Sequence, residues 1–177
     1  MKEIGPPDRF FVSAAAGWLE LGLFEEGLKE LDLVRAGLQS DPRVGDLRWQ
    51  LNCRLGRWEE CLRVAHGLKK LHPERVDSWV HSAYAARRAP GGGLEEAKKI
   101  LLAALDKFPK ETIIPYNLAC YECQLGLKEE SLCWLAVALE RGRKKDERKR
   151  LLEMALSDTD LEPIRKEVIE LAQTYQV

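Results

Sequence analysis

Apolar residues recur along this chain at three- and four-residue spacing, in runs broken by glycine or proline, a period that predicts amphipathic helices rather than strands. The runs span about Asp8 to Leu21, Phe24 to Leu38, Arg43 to Leu71 with Trp58 opening its second half, Val76 to Arg88, and Leu94 to Phe108. Tyr116 to Gly142 reads as two helices hinged at Leu125-Gly126-Leu127. Met1 to Pro7 reads as a loose lead-in, with Asp8 placed to cap the first helix. Beyond Gly142, Leu151, Leu152, Ala155 and Leu156 hold core spacing, and Ser157-Asp158-Thr159-Asp160 breaks that helix. Pro163 opens a last helix striped by Ile164, Val168, Leu171, Ala172 and Tyr175. The expectation is an all-α chain of about ten helices.

The runs repeat one another. Gly22, Gly56, Gly92 and Gly126 are separated by 34, 36 and 34 residues. Small Gly27, Cys61, Ala97 and Ser131 follow the same series, as do the acidic pairs Glu25-Glu26, Glu59-Glu60, Glu95-Glu96 and Glu129-Glu130. Apolar Leu31, Ala65, Leu101 and Leu135 form another column, and Val34, Leu68, Ala104 and Ala138 a further one. Together with Trp79 and the closing prolines Pro42, Pro73 and Pro109, this pattern resembles the tetratricopeptide repeat (TPR), a 34-residue helix-turn-helix unit. The resemblance implies an alpha-alpha superhelix in a single domain over 1–177, with repeats at about 8–42, 43–75, 76–110 and 112–142 and a C-terminal cap over 146–177. Departures are the extra residues VRAGLQSDP before Pro42, a two-residue insertion at Ala89–Gly93, and Gly142 in place of a closing proline.

Composition narrows the function. With 28 Lys+Arg against 29 Asp+Glu the formal charge is -1, so no global basic field points to nucleic acid or membrane. One local exception, Arg141 to Arg150, carries seven basic and two acidic residues and reads as a solvated helix start. No apolar run reaches membrane-span length, and five cysteines, mostly in helical stretches, fit a reducing cytoplasm better than a disulfide framework. Each acidic pair falls in the first turn of a second helix, where it complements the helix dipole; four equivalent copies argue against acid-base chemistry. Cys120 and Cys123 have C-x-x-C spacing without a preceding strand or further ligands. His66, His72 and His81 have no metal-ligand spacing, and no nucleophile elbow or phosphate loop is present. No catalytic residue, metal or cofactor is expected.

The TPR resemblance implies a protein or peptide ligand in a groove lined by the first helix of each unit. By register that groove presents Arg9, Ser13, Ala16 and Glu20, then Arg43, Asp46, Gln50 and Arg54, then Asp77, His81, Tyr84 and Arg88, and finally Tyr116, Asn117, Cys120 and Gln124. Arg54 and Arg88 beside tyrosines suit an acidic, aromatic or aliphatic partner. The Lys/Asn clamp by which some TPR proteins hold chaperone tails is missing: its positions carry Val12, Ala16, Leu47, Asp77 and His81. The expected function is a non-catalytic adaptor or scaffold, monomeric or weakly homo-oligomeric. Two alternatives stand beside it, a self-associating or secretion-type chaperone and a thiol redox or zinc-binding protein using Cys120 and Cys123.

Overall fold

A computed structural model describes residues 3–175. Among them lie ten α-helices, two 3-10 segments and no strand. The helices are α1 (Asp8–Glu20), α2 (Phe24–Leu33), α3 (Pro42–Arg54), α4 (Trp58–Leu71), α5 (Val76–Ala86), α6 (Leu94–Leu105), α7 (Ile113–Gln124), α8 (Lys128–Arg141), α9 (Lys145–Ser157) and α10 (Arg165–Thr174). The 3-10 segments are Ala36–Leu38 and Thr159–Ile164. The chain forms two compact units, one ending at Gly93 and the other beginning at Leu94. No helix among the described residues is long and apolar enough to cross a membrane.

The pairs α1/α2, α3/α4 and α7/α8 are closed by hinges whose chemistry repeats. Gly22, Gly56 and Gly126 have φ of 76°, 69° and 82°, a region glycine enters without a Cβ penalty. At each, the glycine N–H returns to the carbonyl three residues back (Leu19, Cys53, Cys123) and the next N–H to that five residues back (Trp18, Asn52, Glu122). These are Schellman closures, which satisfy carbonyls the helix end would otherwise orphan. The third hinge differs. The register assigns it to Gly92, but the positive φ values fall on Gly91 (75°) and Gly93 (135°), because the inserted residues need two left-handed turns. Gly92 instead lies against backbone: a Cβ there would meet the Ala86 carbonyl oxygen at 1.9 Å.

The small-residue column marks where the second helix of a pair meets the first. Ser131 Oγ donates to the Ala119 carbonyl at 2.7 Å, and Cys61 Sγ to that of Trp49 at 3.6 Å. A Cβ on Gly27 would lie 3.2 Å from the Ala15 carbonyl oxygen. In all three cases the carbonyl belongs to the residue twelve positions earlier. Both apolar columns are core: Leu31, Ala65, Leu101, Leu135, Ala104 and Ala138 are fully buried, Val34 and Leu68 nearly so. In α10, Val168 is fully buried, as is Ile164 just before it.

Two expectations for the N-terminal region are corrected. Ile4 is buried in the first core cluster, so the described part of the expected lead-in, residues 3–7, is docked through it rather than loose. Asp8 does not cap α1; it lies in the first turn and accepts the backbone N–H of Arg35 at 2.8 Å and its guanidinium at 2.6 Å. That bond, with Gln39 Nε2 donating to the Leu31 and Val34 carbonyls at 2.8 and 2.6 Å, ends α2 at Leu33 rather than Leu38. Pro42 then opens α3, capped by Asp41, whose side chain accepts from the Arg43 N–H. The end of the expected cap, residues 176–177, lies outside the described residues.

Candidate functional site

Within the first unit, α3 and α5 meet through aromatic rings. Trp49 of α3 is buried and stacks on His81 of α5, with centroids 3.9 Å apart and planes within 8°. Tyr84 stands edge-on to Trp49 at 5.8 Å and tilts against Trp58 at 6.0 Å. Burial holds the His81 pKa below its usual value, with Asp46 and Asp77 opposing, so the imidazole is neutral at pH 7.

Charge is distributed unevenly along this face. At its N-terminal end Arg75 binds Asp46 at 2.6 Å and Asp77 at 3.3 Å. At the other end the Arg88 guanidinium lies 3.7 Å from the Tyr84 centroid and 5.3 Å from that of Trp58, and donates to the Tyr84 carbonyl at 3.1 Å. Arg54 lies 5.8 Å from the Phe24 ring. Burial raises the Cys53 pKa, while Arg88 and Arg54 both pull it down. Elsewhere in the unit Arg35, Arg43, Arg48, Arg57, Arg63 and Arg75 each pair with a carboxylate, while Arg9 lies over the Phe10 ring. Arg54 and Arg88 have rings in place of anions. Beside Arg88, a recess of about 320 Å³ is lined by Gly56, Arg57, Trp58, Glu59, Glu60 and Pro90.

The other residues assigned to a groove are dispersed. Arg9 is exposed over Phe10, Ser13 and Gln50 are exposed, and Arg43 is held by Asp41. In the second unit, the corresponding face of α7 is covered by its own chain. Tyr116 is buried and its hydroxyl donates to Asp158 Oδ2 at 2.9 Å; Cys120 Sγ reaches the same oxygen at 3.6 Å. Gln124 Nε2 donates to the Asp160 carbonyl at 2.9 Å, and Asn117 to the Ile113 carbonyl of its own helix at 2.8 Å. Asp158 and Asp160 were absent from the residues the sequence nominated. Their signal was the Asp-x-Asp turn, in which Asp158 Oδ1 accepts the Asp160 N–H at 2.9 Å.

No protein-family model and no curated protein matches this chain. Solved structures do. The structure described as "MamA RS-1 ArsTM double mutant" matches with a TM-score of 0.65 and 16% identity, over 98% of this chain and 97% of that one. "MamA 41-end from Desulfovibrio magneticus RS-1" matches with a TM-score of 0.65 and 16% identity, over 97% and 98%. "MamA MSR-1 C2" gives 0.61 and 18%, over 80% and 78%. MamA is TPR-like. This chain has a TPR-like fold. In the register expected from the sequence, α1, α3, α5 and α7 are the first (A) helices of the four units, and the ring-and-arginine face falls in the second and third.

Three thiols of this TPR-like chain, Cys61, Cys120 and Cys123, lie in its interior. Cys120 and Cys123 are both buried, and burial raises the Cys123 pKa; Cys61 is pushed up to about 12 for the same reason. Thiols held protonated are poor nucleophiles. Cys120, Asp158 and Asp160 bring ligand-type atoms within 4.8 Å of one another, and those of Cys120 and Asp158 are hydrogen-bonded together. Cys133 is the exposed thiol.

Proposed function

We propose that this chain is a non-catalytic protein-interaction module of adaptor or scaffold type, binding an acidic linear segment of a partner on the A-helix face of its second and third repeats. The observation that carries the reading is the contrast among arginines. Six in the first unit pair with carboxylates, whereas Arg54 and Arg88, on the A-helix face, lie against aromatic rings as Arg9 does on Phe10, and Arg88 also donates to the Tyr84 carbonyl. A guanidinium on a ring keeps its outer N–H donors for a ligand carboxylate, and the ring limits the rotamer entropy lost on binding. Along the face, Asp77 and Arg88 are eleven residues apart, about 16 Å of helix. A bound segment is therefore oriented, acid toward Arg54 and Arg88 and any base toward Asp77.

Affinity capture from source-cell lysate, run in parallel with the Arg54→Glu/Arg88→Glu variant, tests the reading. A specific protein retained by the native chain and lost by the variant, with helicity unchanged, is the expected result. Equal capture by both forms refutes the assignment of this face.

A further inference from the structure

The repeat register relates the two A-helix faces residue by residue. Tyr116, Cys120 and Gln124 of α7 correspond to Asp46, Gln50 and Arg54 of α3, and to Val80, Tyr84 and Arg88 of α5. On α7 this row has an occupant, the turn after α9. Asp158 divides its two oxygens: Oδ1 closes its own turn on the Asp160 N–H, and Oδ2 accepts from Tyr116 and Cys120. The Asp160 carbonyl takes the Gln124 amide, and Leu161 follows, fully buried. On α3 and α5 the same row offers Gln50 and Arg54, both exposed, and Tyr84 and Arg88, with no carboxylate paired to either arginine among the described residues.

We infer that residues 157–161, Ser-Asp-Thr-Asp-Leu, are an internal copy of the kind of ligand this protein takes from a partner, so that the α3/α5 face binds linear segments of the pattern Asp-x-Asp-aliphatic. The inference rests on the acidic-segment reading above and narrows it. An Asp-x-Asp segment closes its own turn, so part of its ordering cost is met before binding and its second carboxylate oxygen projects at a fixed angle. On α7 that oxygen meets the Tyr116 phenol and the Cys120 thiol, whose counterparts are Asp46 and Gln50 on α3 and Val80 and Tyr84 on α5. Arg54 and Arg88 stand where Gln124 meets the segment at Asp160, so it is the second aspartate that meets guanidiniums, whose charge-assisted bonds are stronger. The aliphatic residue has a counterpart too. The recess is lined by Trp58 and Pro90 together with Gly56, Arg57, Glu59, Glu60 and Arg88, its charged groups balanced in number, and the indole and proline wall is where the aliphatic side chain packs.

The test titrates the full chain into a fluorescein-labelled peptide of residues 157–164, Ser-Asp-Thr-Asp-Leu-Glu-Pro-Ile, read by anisotropy. Two companion peptides carry Asn at both Asp positions or Ser in place of Leu. We expect saturable binding, weakened about tenfold or more by each peptide change and by Arg54→Glu/Arg88→Glu, a difference of about 1.4 kcal/mol or more. Lys69→Glu/Lys70→Glu, which alters net charge equally on α4, should leave binding within about twofold. Absence of binding overturns the inference, as does equal loss in the lysine variant, which would mean bulk charge attraction. Binding that survives the arginine reversals also overturns it, since the peptide would then be exchanging with the segment on α7. If the peptide fails while a captured partner is still lost by the arginine variant, the narrower pattern falls and the acidic-segment reading stands; failure of both removes both.

Discussion

The Asp158 tether can be measured as a coupling energy. In Asp158→Ala the Tyr116 hydroxyl, on a side chain only 3% exposed, loses its acceptor, and the Asp160 N–H loses its cap. A buried donor left without a partner costs about 1–3 kcal/mol, and a lost cap about 1 kcal/mol, which puts the variant about 3 kcal/mol below the native chain. Tyr116→Phe removes the donor but leaves a half-buried carboxylate that water reaches; a hydrogen bond to a charged group is worth about 1.5 kcal/mol at the lower end. The double variant has no orphaned hydroxyl and loses only the cap and the hydrogen bond, about 1 kcal/mol each, so the coupling is about 2.5 kcal/mol. Burial raises the Tyr116 pKa well above its ordinary value, so the phenol stays a donor throughout the neutral range. Urea unfolding followed by circular dichroism, with m unchanged across the four proteins, supplies the cycle. Coupling below about 0.3 kcal/mol would refute the tether.

Three further outcomes follow from local geometry. Gly17→Ala, where a Cβ meets nothing within 4 Å inside α1, should stabilise by about 0.5–1 kcal/mol. Gly45→Ala places its Cβ 2.7 Å from Leu68 Cδ2 and 3.1 Å from Cγ, and overpacking of about 1–3 kcal/mol should cancel or reverse the same helix gain; equal stabilisation of both in thermal melts would contradict this packing. Arg35 holds the Asp8 carboxyl below the ordinary carboxylate range, so its contribution is present above pH of about 4 and lost as pH falls through the lower folded pKa. Native and Asp8→Asn stabilities measured against pH should therefore converge on the acid side, and a constant gap would refute the bond. In alkylation followed by mass spectrometry, Cys133 should react first and Cys61, raised to about 12, only on unfolding; early modification of Cys61 would contradict its burial.

Features set by neighbours in sequence were legible in it. Schellman glycines, acidic first turns and the small-residue column all act within one helix hairpin, so the starts of α2, α4, α6 and α8 could be placed from residue types alone. What escaped depends on distant partners. Nothing in VRAGLQS announces that α2 stops at Leu33, because Asp8, 27 residues earlier, takes the Arg35 N–H. The covering of Tyr116 and Gln124 was hidden likewise, since Asp158 and Asp160 lie 42 and 36 residues on. At the third hinge, three adjacent glycines left the sequence unable to say which would take positive φ. For the site, Arg54 and Arg88 could be nominated from register, but their lack of carboxylate partners emerges only from the pairing of their neighbours.

The constant twelve-residue reach of the small-residue column has a kinetic meaning. Ser131 to Ala119 and Cys61 to Trp49 are closures within a single hairpin, so these two helix pairs can each form that contact after searching only a short loop. Chains dominated by such near-neighbour contacts have low contact order and fold fast for their size. Hairpins made this way also nucleate independently and grow by adding neighbours, as in other repeat arrays. Ser131→Ala should accordingly slow folding as well as speed unfolding, which would mark that hairpin as part of the nucleus.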